Sequence, residues 1–309
     1  MSTAVAFPGM GPTRFADVAK FMLVNPFARE LLATADDVLG YDLFAALRGS
    51  SSDYAEAAQV AFLVNSLALA RWAEHEFDLE PRYCTGASFG GKAAAVHSGA
   101  LSAEDGIRLT ADLVRVETEY FASRHSDVVT LSFARTPAAE LSAVLDELAD
   151  WHEVSCYVDE DFYMVSLKRD RLEWMQKRLK AAGGLPLYEM DPPMHVSAFA
   201  DLRDRIEREL FAGLAFRDPV TPVVADQDGT VRTTAAGVRA ILLDGVVRPV
   251  RWPEVVRSLR ANGVTRLCVA GQDALFGRVP CTTNNFKVVA ATPRLAMQPY
   301  KRPALRRAS

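Results

Sequence analysis

The sequence predicts an α/β fold built as two units, a large one interrupted by a smaller insertion. Three observations predict it. Short apolar strand patterns alternate with amphipathic helices over residues 1–126, residues 127–192 read β-α-β-β-α-β, and the alternating pattern returns over 193–309. A length of 309 residues suits about two domains. Half of the residues are hydrophobic and 24% are charged, a balance that excludes disordered, collagen-like and coiled-coil chains.

In order, residues 3–7 (Thr-Ala-Val-Ala-Phe) form a short buried strand that runs into a turn at Pro8-Gly9. Apolar residues recurring every three and four positions predict helices over 14–23, 26–39 and 59–76. Tyr83-Cys84-Thr85 is the next strand, Gly86-Ala87-Ser88-Phe89-Gly90 a tight turn, and a small-residue helix follows through Ala93-Ala94-Ala95. The insertion opens with a strand rich in β-branched residues at 127–135 and a helix at 137–148 with proline in its first turn. Strands at 153–158 and 162–168 flank the acidic turn Asp159-Glu160-Asp161. A helix at 169–182 stops at Gly183-Gly184, and 185–190 is the last strand. That order is the split βαβ arrangement of ferredoxin-like units. The returning chain reads as a helix at 198–214, a strand at 222–225, helices at 234–243 and 252–262, and a strand at 266–270 that closes the unit at Gly271.

Several function classes drop out. Thirty-five basic against 39 acidic residues leave a net charge of −4, with no electrostatic footprint for nucleic acid. Cys84, Cys156, Cys268 and Cys281 are dispersed, without a CxxC pair, and only five histidines accompany them. Neither a metal site nor a disulfide framework is expected, and the thiols read as reduced and cytoplasmic. Met1-Ser-Thr-Ala-Val-Ala-Phe7 has no basic start and breaks at Pro8, unlike a signal peptide. The longest apolar run, 60–70, is interrupted by Asn65 and Ser66 and is too short to span a membrane.

Gly86-Ala87-Ser88-Phe89-Gly90 fits the G-x-S-x-G nucleophile elbow, with a strand before it and a helix after it. The glycines make room for a strained turn, and the helix start offers backbone N–H groups to an oxyanion. An ordinary structural turn is the alternative. A serine nucleophile needs a base. His75 lies on a charged helix face, His97 falls late in the elbow helix, and His125 and His152 border the insertion. His195 follows Pro192-Pro193-Met194, a rigid entry that would fix its direction, although a capping or core histidine would read the same way. In Phe7-Pro8-Gly9-Met10-Gly11 the glycines let the Met10 N–H approach a ligand, and with the N–H of Phe89 it would complete an oxyanion hole.

Taken together, these motifs resemble a family. Phe7-Pro8-Gly9-Met10-Gly11, the elbow, Gly99-Ala100-Leu101-Ser102 with Asp105, Pro193-Met194-His195 and residues 222–229 (Pro-Val-Val-Ala-Asp-Gln-Asp-Gly) occur in order. Pro249-Val250-Arg251-Trp252 and Val269-Ala270-Gly271 follow. Over nearly the whole chain the set is similar to the malonyl-CoA:acyl carrier protein transacylases and the acyltransferases of polyketide synthases. The resemblance implies an α/β-hydrolase-like large subdomain (1–126 and 193–309) with an inserted ferredoxin-like small subdomain (127–192). It implies ping-pong acyl transfer through Ser88, with His195 as base and then acid and the N–H groups of Met10 and Phe89 holding the oxyanion. The carbonyl of Gly245, with Asp244 beside it, would orient His195. No bound cofactor is implied; the acyl group arrives on the phosphopantetheine of an acyl carrier protein, or on CoA. The expected partners are a donor and an acceptor carrier protein, with no nucleic acid and no membrane, and the expected state is a monomer.

The departures from the family bear on substrate. Ala87, Phe89 and Gly91 replace the family's His, Leu and Glu of the elbow, and Met10 replaces Gln. Leu113 falls where the family's arginine pairs with the malonyl carboxylate; Arg115, two residues on, is turned about 200° away on a helix. Met194 stands where Phe or Ser is common. An unpaired carboxylate is costly in an acyl pocket, so a non-malonyl group is expected. Phe-Pro-Gly-Met-Gly-Pro with Pro-Pro-Met-His looks most like the discrete acyltransferases of macrolactam pathways, which move an aminoacyl or dipeptidyl β-amino-acid starter between carriers. A malonyl-CoA:acyl carrier protein transacylase and a serine thioesterase releasing carrier-bound acyl groups are the alternatives. Carrier proteins are acidic, so docking is expected on Lys168, Arg169, Arg171, Lys177 and Arg178 of the insertion and on Arg294, Lys301 and Arg302 near the C-terminus.

Overall fold

The computed structural model describes residues 2–298 other than Pro12, Ser51 and Ala274. β1 (Ser2–Phe7) is buried on both faces from Thr3 onward, as a central parallel strand must be. The helices α1 (Phe15–Val24), α2 (Pro26–Leu39) and α3 (Leu43–Gly49) follow. Asn25 separates the first two, its side-chain oxygen accepting the N–H groups of Phe27 and Ala28. α4 (Glu56–Phe77) is a core spine: every residue from Ala58 to Ala70 is buried, so its apolar surface runs all round. β2 (Pro81–Gly86), α5 (Gly90–His97) and α6 (Ala103–Ser123) complete the first half.

The insertion contributes β3 (Val128–Ala134), α7 (Ala138–Asp146), β4 (His152–Asp159), β5 (Phe162–Lys168), α8 (Leu172–Ala181) and β6 (Leu185–Met190). The return adds α9 (Ala200–Glu209), β7 (Val223–Val224), β8 (Val231–Arg232), α10 (Ala235–Val247), β9 (Val250–Arg251) and α11 (Trp252–Ala261). β10 (Val264–Ala270), α12 (Pro280–Thr283), β11 (Lys287–Ala291) and α13 (Pro293–Ala296) end the described chain.

Two sheets result. The larger runs β11-β10-β1-β2-β7-β8 and is parallel except for β8. The smaller runs β6-β3-β5-β4-β9, and its first four strands pair antiparallel in the ferredoxin-like order. Its fifth strand is not from the insertion. β9 of the returning chain pairs parallel with β4, Cys156 opposite Val250 and Tyr157 opposite Arg251. The two units therefore share a sheet as well as a core. Cys156, Val158 and Met164 of the small sheet pack in one buried cluster with Ala87, Val224, Trp252 and Val269 of the large unit.

The expected elements occur in order; besides the two-residue strands β8 and β9, which were not expected, four differences stand out. α3 was not expected; Asp42 caps it and only Leu43 and Leu47 are buried, too short an apolar pattern to signal a helix. β11 and the two short helices beside it lie beyond Gly271, where the unit was expected to close; β11 adds a further parallel edge strand to β10. The helix expected over 198–214 is α9 between two 3-10 turns, Ser197–Phe199 and Phe211–Gly213, whose phenylalanines are buried. α10 runs to Val247 rather than 243, because only the extended Arg248 ahead of Pro249 stops it.

Trp252 is fully buried where the units meet, and its Nε1–H donates to Thr282 Oγ1 at 2.7 Å. Trp252→Ala should cost about 3–5 kcal/mol, whereas Trp252→Phe, which keeps most of the volume, should cost clearly less. Thermal unfolding of both variants checks this; equal midpoints would show that the cavity is not what matters there.

Candidate active site

The elbow is built by close approach. A Cβ on Gly90 would lie 2.2 Å from the Phe7 carbonyl oxygen, and one on Gly86 would lie 2.0 Å from that of Gly90. Only glycine lets α5 start this close to the ends of β1 and β2. The turn between them puts Ser88 in the left-handed region, φ 54°, a strained position typical of functional residues. Its N–H donates to Asp226 Oδ2 at 2.8 Å, which ties the turn to the loop after β7.

His195 reaches the same point from the other half of the chain. Ser88 Oγ and His195 Nε2 are 2.7 Å apart. On the far side of the ring, Nδ1–H donates to the Gly245 carbonyl in the last turn of α10. That bond fixes the tautomer with the Nε2 lone pair toward the serine. His195 is also left-handed, φ 68°, and its own N–H donates to the Val246 carbonyl at 3.1 Å. Burial pushes its imidazole down to about 4, with the Gly245 carbonyl working the other way. At neutral pH it is an unprotonated base in hydrogen-bond contact with a hydroxyl, which is the geometry of nucleophile activation.

Met10 and Phe89 both line the cleft over Ser88, and neither amide N–H has a hydrogen-bond partner among the described residues. Gly9 holds the Met10 turn against the elbow: a Cβ there would touch the Ala87 carbonyl oxygen at 3.4 Å and Ser88 Cβ at 3.8 Å. The other histidines lie elsewhere. His97 is buried against the Phe7 ring and contacts Glu74 at 3.3 Å. Burial lowers the His97 imidazole to about 4 and raises the Glu74 carboxyl to about 7, so at neutral pH the histidine side of that contact is uncharged. His75 is exposed, His125 packs on Tyr120 and Phe199, and His152 bonds the Asp150 carbonyl. All four cysteines are free, and burial pushes each thiol up, which removes them as rival nucleophiles. Among the described residues no cluster of His, Cys, Asp or Glu could hold a metal, and no helix is long and apolar enough to cross a membrane.

Comparison with known proteins meets this geometry. Residues 132–190 match the family described as the VinK acyltransferase small domain. The malonyl CoA-acyl carrier protein transacylase of Salmonella typhimurium is 26% identical over 279 residues, covering 87% of this chain and 88% of that one. The polyketide biosynthesis protein ThaF of Burkholderia thailandensis is 28% identical over 284 residues, 87% of this chain and 23% of that protein. Among solved structures, a malonyl-transacylase in complex with its type II polyketide synthase acyl-carrier protein superposes with a TM-score of 0.82 at 24% identity, over 96% of this chain and 99% of that one. The chain is a relative of the malonyl-CoA–acyl carrier protein transacylases.

In this transacylase relative the cleft lies between the elbow, α6, α9 and α10. Leu113 and Met194 are among the residues that line it. Arg115 is on the outside, its side chain 54% exposed between Asp112 and Glu119. Three acidic or basic residues of the cleft were not expected as site residues. Asp226 is fully buried; burial pushes its carboxyl up to about 7, while the bond from the Ser88 N–H pulls it down. It lies in the quoted 222–229 motif, but nothing in the sequence says that its side chain reaches the elbow. The others are Lys92 and Glu117. Glu117 follows Leu113 by four on α6, so helical spacing places those two on one face, and Lys92 lies in the first turn of α5, just after the elbow.

Each of the five basic side chains expected to form a docking face on the insertion is paired with a carboxylate. Lys168 pairs with Asp127, Arg169 with Asp191, Arg171 with Asp150, Lys177 with Glu173 and Arg178 with Glu147. Four of the five partners come from other segments, which a scan for basic residues does not see. Arg294 is exposed and has no ion-pair partner among the described residues. Lys301 and Arg302 lie outside the described residues.

Ser88→Ala should abolish the covalent acyl adduct seen by intact-mass spectrometry while circular dichroism stays native. His195→Ala should slow adduct formation by at least about 10²-fold; near-normal rates would remove it from the mechanism. The pH profile follows from the depressed imidazole. A free histidine would lose its base form below about 6.5, whereas His195 keeps it down to about 4. Ser88 acylation should therefore hold its plateau from pH 8 to about 5. An acid limb centred near 6.5 would show that the ring is solvated in the working enzyme.

Proposed function

We propose that this acyltransferase loads a non-malonyl acyl group onto Ser88 and passes it to the phosphopantetheine thiol of an acyl carrier protein. The group best suited is the aminoacyl or dipeptidyl β-amino-acid starter of a macrolactam polyketide, moved between two carriers by a monomeric enzyme. The observation that carries the reading is the side of α6 that faces the cleft. Leu113 lines it where a malonyl-specific relative would hold a carboxylate with arginine, and Arg115 is on the outer surface. The match to the VinK acyltransferase small domain and the likeness to ThaF support a place in polyketide assembly.

The steps follow from the geometry. The Ser88 hydroxyl gives its proton to His195 Nε2 as Oγ attacks the thioester carbonyl. The Met10 and Phe89 N–H groups hold the oxyanion. The C–S bond breaks and His195 returns the proton to the leaving thiol. The acceptor thiol then gives its proton to His195, its sulfur attacks the Ser88 ester, and the C–O bond breaks with the proton going back to Oγ. The left-handed turn and the Asp226 bond hold Ser88 for both passages, and the Gly245 carbonyl holds the ring.

One observation favours the malonyl alternative. Lys92 puts a cation in the cleft that Leu113 does not supply. Glu117 on the facing helix works against it, because a malonyl carboxylate would meet both. Malonyl-CoA should accordingly be a poor donor, and Leu113→Arg should raise malonyl adduct formation about tenfold or more while harming the native reaction. Efficient malonylation of the unmodified protein, measured by intact mass, would establish an extender-unit transacylase instead.

A further inference from the structure

Beyond the catalytic pair and Asp226, the acyl cleft holds two charged side chains, Lys92 of α5 and Glu117 of α6. Glu117 is one helical turn from Leu113 on α6, and Lys92 stands in the first turn of α5, directly after the elbow that carries Ser88. They attract each other through space, yet no hydrogen bond or ion pair reaches either among the described residues. Lys92 Nζ instead rests 3.8 Å over the centre of the Phe89 ring. Neither polar head is sealed away, since both belong to the cleft wall.

Such a pair is costly. Burial lowers the Lys92 ammonium to about 8 and raises the Glu117 carboxyl, and only their mutual attraction opposes this. Asp226 aside, the rest of the lining is uncharged, leucine, isoleucine and methionine with Tyr54, Gln59 and Gln227, and a plain alkyl acyl group would need no charged pair among them. An anion and a cation held apart suit a group that brings both complements, a protonated amine beside a carbonyl or carboxylate oxygen. Malonate supplies an anion alone, and an alkyl chain supplies neither.

We infer that Glu117 and Lys92 are the specificity-determining pair of the cleft: the Glu117 carboxylate receives the ammonium of an amine-bearing acyl chain, and Lys92 donates to the oxygen next to it. This rests on acyl transfer through Ser88 as proposed above.

The test is competition for Ser88 between isosteric N-acetylcysteamine thioesters, read by intact mass. One pair is β-alanyl against butanoyl; a longer pair is glycyl-β-alanyl against propanoyl-β-alanyl. Within each pair an ammonium replaces a methyl group. The unmodified protein should favour the amine by at least about tenfold in one of the pairs. Glu117→Gln should bring that ratio to within about twofold of unity. Because a lone buried Lys92 can unfold the protein, the double variant Lys92→Met with Glu117→Leu is measured too; it removes both charges at similar volume and should reverse the preference toward the alkyl member. A preference for the alkyl member in the unmodified protein, or an amine preference that survives either variant, overturns the assignment. Ser88 taking malonyl but no member of either pair overturns the proposed function itself, and this assignment with it.

Discussion

The site depends on how closely α5 is allowed to start against β1 and β2. Gly86 and Gly90 leave no room for a Cβ, and that contact forces the intervening turn into the left-handed region where Ser88 sits. The strain is held from three directions: backbone packing against Phe7, the helix that begins at Gly90, and the buried Asp226 carboxylate on the Ser88 N–H. Asp226 lies two residues past a strand of only two residues, Val223–Val224, pinned between β2 and β8. A short segment next to the sheet edge thereby fixes the position of the nucleophile.

The second half of the site is assembled across the insertion. Ser88 and His195 are 107 residues apart in sequence and 2.7 Å apart in space. Each turn of chain around His195 is bonded to the end of α10, through the ring to Gly245 and through the backbone to Val246. The insertion does not hang from this junction as a loose appendage. β9 extends its sheet, and Trp252, immediately after β9, carries the shared core into the large unit. The small unit is thus positioned over the cleft by the same few residues that follow the histidine's anchor, so its placement and the base's orientation are coupled.

Burial then decides the chemistry. The same loss of solvent that keeps His195 unprotonated raises Asp226 and Glu74 and silences the cysteines. In the cleft wall, solvent loss makes Lys92 and Glu117 unstable companions until a ligand supplies opposite charges. Surface cations show the converse. Five of the basic side chains of the insertion meet carboxylates at the surface, pairings of little energetic consequence.

The sequence by itself determined most of the element order and the insertion, and it singled out the elbow and His195 as candidates. Those depend on local rules: period 2 against 3.6, glycine where a turn must be tight, proline where the chain must be stiff. It also determined that Arg115 cannot replace Leu113, since two residues along a helix always point apart. What only the tertiary structure decided are relations between segments far apart in the chain. These are the Asp226 carboxylate on the elbow, the borrowed strand β9, the edge strand β11, the carboxylate partners of the basic insertion residues, and the meeting of Lys92 and Glu117 in one cleft. Residues four apart on a helix announce a shared face but not what faces it. A charged residue in a sequence reads as solvated until packing removes the water around it, and that removal is a property of the whole fold.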